Sequence, residues 1–448
     1  MLNVDQAEAR AGALIDAARK AGADAADVLY VGEASLGIQV RLGELEDVGR
    51  SEGEEIGLRL FVGTRSASVS SSDLSRDALS ALVERALAMA REAPEDPYAG
   101  LAPEEMLFRG DLLPLETDDG VDPSPAEIKQ RALDMEAAAR AVPGVTNSEG
   151  AGVSAARSVF ALATSHGFCR GYHSSHYSAG VSVVGGEGGA MQRDHASHSA
   201  RHLADLDGPE ELGGLAGERT VKRLNPGKLA SGVMPIVFDP RVGGGLVGHL
   251  ISAMSGPAIA RRTSFLLGRE GEQVLPESLS IIDDPHRVRG LRSRPFDGEG
   301  VATARRALVE NGRLTGWLLN SASAHQLGLT TNGHATRGVG GAPGVGATNV
   351  QLTPGTLSPT ELIADISQGL YVTELIGQGI NPVTGDYSRG ASGFIIRNGE
   401  IAEPVAEITV AGNLLDMYRA LVAASDLEHR RAVNVPTLRV EGMTVAGA

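Results

Sequence analysis

Glycine is the feature that most restricts what this chain can become. The sequence has 58 glycines among 448 residues, while Phe, Trp and Tyr together make up 4%. The usual glycine share is about 7%. Glycine weakens helix interiors and is at home in turns, bulges and places where one backbone crosses close to another. The chain is therefore expected to hold much antiparallel β-structure with many turns. Apolar residues at 42% and charged residues at 21% match an ordinary globular protein, which excludes global disorder. The length fits roughly two or three domains rather than one small core.

Charge and cysteine remove further classes. Against 40 basic side chains stand 56 acidic ones, a net charge of -16. Such a field repels phosphate backbones and anionic membrane surfaces, so no nucleic acid and no membrane is expected as a partner. No run of about 18 apolar residues occurs, and the first residues, Met1 to Asp5, lack the basic-then-apolar pattern of a signal peptide. A cytoplasmic protein is expected. The single cysteine, Cys169, forms no internal disulfide and cannot supply a four-thiolate zinc site.

The pattern along the chain predicts an α+β fold with two domains. Residues 1–142 read as an N-terminal helix-and-sheet domain. Apolar residues at helical spacing mark a helix from Asp5 to Lys20, with Gly22 as its cap, and another from Ala78 to Arg91. Between them, Val28–Val31, Leu36–Arg41 and Ile56–Val62 predict a small meander of short strands punctuated by Gly32, Gly43, Gly49, Gly53 and Gly63. Prolines crowd residues 93–125, which predicts an extended connection. Ser124, Pro125 and Glu127 then form a capping box that opens a helix to about Ala141. Residues 143–448 read as a larger, antiparallel β-rich domain, with helices at Pro209–Leu224, Pro240–Ser255, Ser321–Leu327 and Pro359–Gln368.

Four patterns suggest chemistry, and each has a plainer reading. Gly243 to Gly248 fits G-x-G-x-x-G after a strand-like run, yet no alternating strand and helix units surround it, so close helix packing is favoured over a dinucleotide turn. His166, His173, His176, His195, His198 and His202 fall in one β-rich region, the last three spaced i, i+3, i+7. No thiolate or paired carboxylate accompanies them at ligand spacing, so surface or groove histidines are favoured over a metal site. Cys169 has His166 and Arg170 as neighbours, but a small buried hydrophobe is favoured over a reactive thiol. No G-x-S-x-G elbow and no Walker lysine is present, so acyl transfer and nucleotide hydrolysis lack support.

The C-terminal half carries a resemblance. "GLYVTELIGQGINPVTGDYSRGASGFIIRNGEIAEPVAEITVAGNLLDM" (Gly369 to Met417) resembles the distinctive signature of the TldD/PmbA family, in its PmbA (TldE) branch. "MQRDHASHSARHLADL", "GHLISAMSGPAIARRTSFL", "RPFDGEG" and "LLNSASAHQLGLTTNGHA" extend the likeness over nearly the whole chain. The resemblance implies a subunit of a heteromeric zinc metallopeptidase that cleaves unstructured peptides in peptide maturation and protein degradation. It implies that the partner, a TldD-type subunit, carries H-E-x-x-x-H on a helix. There the histidines and a C-terminal cysteine bind zinc, and the glutamate acts as general base.

The corresponding helix here lies around Gly248 to Met254. With His249 in the first place, Leu250 replaces the glutamate and Met254 the second histidine; shifted by one, Gly248, His249 and Ala253 fill the three places. Neither register supplies two ligands and a base, and residues 426–448 hold no cysteine. The expectation is no catalytic residue and no metal in this chain, zinc being held by the partner. Peptide-groove candidates are the Gly-rich loop Gly338–Gly346 and the signature strand around Gly377 to Arg389, with Gly377, Gly379, Asp386, Tyr387, Ser388 and Arg389. Such a groove would hold an extended peptide through backbone groups. The rivals are an independent metallopeptidase using the 166–202 histidines, a peptide-binding scaffold, and a homodimer when the chain is alone.

Overall fold

Asn3 Oδ1 accepts a hydrogen bond from the Gln6 backbone N–H, the Gln6 side-chain oxygen accepts one from the Asn3 backbone N–H, and helix α1 (Val4–Ala21) follows, ending on left-handed Gly22. The structure, a computed structural model, describes residues 1–447. Next come β1 (Ala25–Arg41), β2 (Glu44–Val62), β3 (Arg65–Ser71) and α2 (Arg76–Glu92), capped by Ser75. A long connection leads to α3 (Pro125–Arg140), β4 (Val145–Thr164), β5 (Cys169–Gly185), β6 (Gln192–Ala200) and α4 (Pro209–Lys222). The six strands form one antiparallel sheet in the order β3-β2-β1-β4-β5-β6.

Alternation along the strands gives this sheet two different faces. Val28, Tyr30, Ile38 and Val40 of β1 and Tyr177, Ala179 and Val181 of β5 pack under the four helices. Residues of opposite parity, Leu29, Leu162 and Tyr172, turn to the C-terminal half, where they meet Phe296 and Val301.

Two expectations are corrected here. The strands are long, not short: Gly32, Gly49 and Gly53 sit inside a continuous β1–β2 ladder, facing Glu54, Gly37 and Glu33. The ladder satisfies the backbone on both sides of each glycine, so no turn forms. The boundary placed between residues 142 and 143 falls within one unit, because β1 pairs along fourteen positions with β4, from Asp27↔Thr164 to Val40↔Ala151.

The C-terminal half begins with β7 (Gly232–Phe238), α5 (Pro240–Ala253) and α6 (Gly256–Ala260). Short elements follow: β8 (Ile281–Asp283), β9 (Arg306–Glu310), β10 (Arg313–Leu314), α7 (Ser321–Leu327), β11 (Ala335–Thr336), β12 (Gly344–Val345), β13 (Val350–Leu352) and α8 (Pro359–Ile363). The chain ends with β14 (Gln368–Ile376), β15 (Asp386–Arg397), β16 (Glu400–Asn413), α9 (Leu414–Arg419), β17 (Leu421–Ala423), β18 (Val433–Asn434) and β19 (Leu438–Ala446). A sheet runs β16-β15-β14-β7-β19-β17, and β16 also pairs with β19, which closes the strands into a barrel. It is mostly antiparallel, with β14 parallel to β7. Helix α5 lays Leu246 and Leu250 into the core beside Phe238, Leu370 and Tyr418.

The halves are joined by buried charge. Asp27 of β1 pairs with Arg59 of β2 and with Arg337 from the loop after β11. All three side chains are buried. Beside them Gly57 lies against Val339: a Cβ at Gly57 would stand 1.8 Å from the Val339 carbonyl oxygen.

Candidate functional site

A cleft of about 720 Å³ opens between the free face of the first sheet and helix α5. The sheet contributes Phe160, Tyr172, Ser174 and His176, and Arg201 comes from just past the end of β6. Helix α5 contributes Gly248, Ile251 and Ser252, and the loop 291–294 and segment 345–348 complete the wall. The parity that buries Tyr177 and Ala179 under the helices is what turns Ser174 and His176 toward the cleft. Tyr172 stacks on Phe160 at 5.5 Å and meets Phe296 edge-on at 5.6 Å. Burial raises the Tyr172 pKa, and the nearby Arg294 and Arg201 oppose that rise. Surrounding protein, then Arg201, lowers the His176 pKa, Glu33 acting weakly the other way.

Arg201 is anchored rather than free. Its guanidinium donates to the Leu291 carbonyl at 2.6 Å, the Ser175 carbonyl at 3.1 Å and the Gly290 carbonyl at 3.3 Å, and it also contacts Ser174 Oγ. Arg294 donates a long bond, 3.4 Å, to the Gly346 carbonyl, and its Nε is buried without a partner among the described residues.

The helix positions singled out by sequence divide between core and cleft. Leu250 and Met254 are buried, 0% and 1% exposed, within the C-terminal core. His249 is half-buried and its ring meets that of Tyr387 at 6.2 Å. Burial, then Arg389, lowers the His249 pKa. Gly248 lines the cleft, so only the register starting at Gly248 places its leading position there. Beside His249 stand the Tyr387 phenol and Arg389, a set that does not fit a zinc ion, which needs about three nitrogen, sulfur or carboxylate ligands. Among the described residues no group of three His, Cys, Asp or Glu is placed to hold a metal.

The signature segment is a turn followed by a strand, not a strand throughout: residues 377–385 form a loop and β15 begins at Asp386. Its backbone groups are already engaged. Ser388 N donates to the Gly379 carbonyl at 2.7 Å, Asn381 N to the Asp386 carbonyl at 2.9 Å, and β15 pairs with β16 from Asp386↔Asn413 onward. Residues 386–389 are thereby paired with β16, and Gly379 and Asn381 are tied back to the start of β15. Gly379 is required by close approach, since a Cβ there would lie 1.9 Å from the Ser388 carbonyl oxygen, and Gly377 by its φ of +86°. Asp386 accepts from Thr384 Oγ1 at 2.6 Å, Arg389 Nε reaches the Ile376 carbonyl at 3.4 Å, and the buried Tyr387 hydroxyl has no partner among the described residues. The loop Gly338–Gly346 does reach the cleft through Val345 and Gly346.

The remaining motifs follow their plainer readings. Gly243 to Gly248 lie inside α5 rather than in a turn before it. The helix N-terminus is capped by the Asp239 carboxylate, which accepts from Arg241 N, leaving nothing there for a phosphate. The histidines are not gathered: strand alternation puts His195 and His198 on opposite faces of β6, His198 pairs with Asp207 at 3.1 Å, His202 contacts the Glu116 carbonyl, and His166 bridges Thr164 and the Ala102 carbonyl. Cys169 is half-buried and burial raises its pKa, the opposite of an activated thiol. Sequence reading passed over Arg201, Arg292 and Arg294. The only signal was their place in the blocks "MQRDHASHSARHLADL" and "RPFDGEG" or just before the latter.

Fold and site define a class: two-part α+β proteins in which an antiparallel sheet faces a closed barrel across a cleft bordered by a helix. Family models place the chain within it. The PmbA/TldA metallopeptidase domain 1 matches residues 26–90, the central domain 118–224 and the C-terminal domain 231–447. The Metalloprotease PmbA of Escherichia coli O157:H7 is 39% identical over 426 residues, 95% of this chain and 92% of that one. A Bacteroides thetaiotaomicron crystal structure, described as a modulator of DNA gyrase, superposes with a TM-score of 0.92 at 27% identity over all of both chains. TldE from Thermococcus kodakarensis shares the fold, with a TM-score of 0.88 at 22% identity over 98% of this chain and 100% of that one. The chain belongs to the PmbA/TldD family of metallopeptidases. The central-domain match also crosses the 142/143 boundary, in keeping with the β1–β4 pairing.

Proposed function

We propose that this chain is the TldE-type, non-catalytic subunit of a heterodimeric zinc metallopeptidase acting on unstructured peptides in peptide maturation and degradation. One observation carries the reading: in a metallopeptidase fold, the helix bordering the cleft offers His249 as its sole imidazole, with Leu250 and Met254 turned into the core. Hydrolytic zinc is held by about three protein ligands with an open water position. The zinc and its general base then belong to a TldD-type partner bearing H-E-x-x-x-H, and this chain completes the substrate-binding surface. A cytoplasmic location suits this role; no helix among the described residues is long and apolar enough to cross a membrane.

Mixing tests it. The chain and its H-E-x-x-x-H partner are purified separately and assayed on an unfolded protein and its folded form. The expected outcome is cleavage of the unfolded form by the mixture only, abolished by chelator or by changing the partner's glutamate, with assembly intact. Partner activity equal to that of the mixture, or zinc-dependent activity of this chain alone, overturns the proposal.

A further inference from the structure

The cleft has an unusual charge. The protein is strongly acidic, at -16, yet the charged side chains lining this cleft are Arg201, Arg292 and Arg294, with no aspartate or glutamate among the lining. None of the three forms an ion pair among the described residues, although 25 salt bridges occur elsewhere in them, most of them engaging arginine. Partly buried arginines ordinarily find a carboxylate, since an uncompensated charge in a low-dielectric setting is costly. Arg201 is satisfied by backbone carbonyls and the Ser174 hydroxyl, neutral groups that occupy its N–H groups and leave its charge without a carboxylate. Arg294 keeps a buried Nε without a partner, and Arg292 stands exposed at the rim with no hydrogen bond from its guanidinium among the described residues.

Their placement converges. Arg201, Arg292, Arg294 and Tyr172 all line this one cleft. Opposite them the helix presents Gly248 and Ser252, small residues that leave room. The volume lies within the range of ligand pockets, about 300–1,000 Å³, too large for a lone small ion and sufficient for several residues of peptide.

We propose that this cleft is a peptide-carboxylate subsite in which Arg292 and Arg294 hold the carboxylate, Tyr172 donates to it, and Arg201 supplies fixed positive charge. Arginine suits the task because its planar fork matches the two carboxylate oxygens. The proposal rests on the peptidase reading and deepens it, giving the subunit a preference for chains that carry a negative group. The carboxylate has two sources, a chain terminus or an acidic side chain.

The test uses the full chain without its partner, so it stands apart from the mixing assay. Three fluorescent unstructured peptides of one length are titrated by anisotropy: one with a free C-terminus and no acidic residue, one amidated with an internal glutamate, and one amidated without any acidic residue. Binding of the first, the second or both, with the third at least tenfold weaker and affinity falling as salt rises, supports the proposal, and the pattern identifies the source. Arg292→Gln and Arg294→Gln should each weaken the carboxylate peptides about tenfold and leave the third unchanged. Arg292 is exposed, so its variant keeps the test valid should Arg294→Gln fail to fold. Equal binding of all three peptides, no binding of any, no effect of Arg292→Gln, or displacement by equimolar inorganic phosphate would overturn it.

Discussion

At the scale of single residues, burial decides what Tyr387 and His249 contribute. The Tyr387 ring is 2% exposed, its hydroxyl has no partner among the described residues, and burial pushes its pKa up to about 12. A buried hydroxyl left unpaired costs free energy, so Tyr387→Phe is expected to stabilise the fold by about 1 kcal/mol in urea denaturation. A loss of that size would show that the hydroxyl has a role. His249 titrates below the usual 6.5 in the folded chain through burial and then Arg389. The unfolded chain therefore takes up a proton more readily, and the contribution of His249 to stability is full above pH 6.5 and lost as pH falls through the folded value. His249→Gln should reduce the stability lost between pH 7 and pH 5. It removes one increment only, since His176, His195 and His198 are shifted the same way. An unchanged pH slope would sink the assignment.

At the scale of elements, the sequence is most readable where the cause is local. The box at Ser124 and Glu127 forms as expected: Ser124 Oγ accepts from Glu127 N and the Glu127 carboxylate accepts from Ser124 N at 2.8 Å. Ser124→Ala should cost about 1 kcal/mol, measured by thermal unfolding, while a change under a few tenths would mean that helix packing alone holds α3. Helices α1, α2, α4 and α5 fall within two residues of their expected spans for the same reason. What resisted reading was long-range. Gly32, Gly49 and Gly53 carry a turn signal by composition, but pairing between β1 and β2 overrides it. The 377–389 segment was read as one strand within the family signature. Its turn at 377–385 folds back onto Ser388, a contact visible only in three dimensions. The helix carrying His249 was legible by resemblance, whereas the arginines opposite it lie on elements distant in sequence and meet only after the sheet and barrel close.

At the scale of the whole molecule, the cleft exists because two bodies are held at a fixed separation, and the Asp27 cluster does the holding. Asp27 is 1% exposed and is the single carboxylate paired with both Arg59 and Arg337, which come from opposite sides of the junction. The attraction of the two arginines outweighs burial and keeps the Asp27 pKa below its ordinary value, so the group is a carboxylate across the physiological range. Removing one member of a buried ion cluster leaves the others charged without compensation, a loss of about 3–5 kcal/mol, more than the lost attraction itself because the remaining charges cannot rehydrate. Asp27→Ala should therefore lower stability by that order in chemical denaturation. Because Arg337 opens the loop that ends at Val345 and Gly346 in the cleft wall, the same substitution should increase amide exchange in residues 337–348. The Arg59→Met and Arg337→Met pair made in the Asp27→Ala background removes the stranded charges and should recover part of the loss. No recovery, with exchange in 337–348 as slow as in the parent chain, would mean that apolar contacts such as Leu29 and Phe168 with Phe296 set the separation instead.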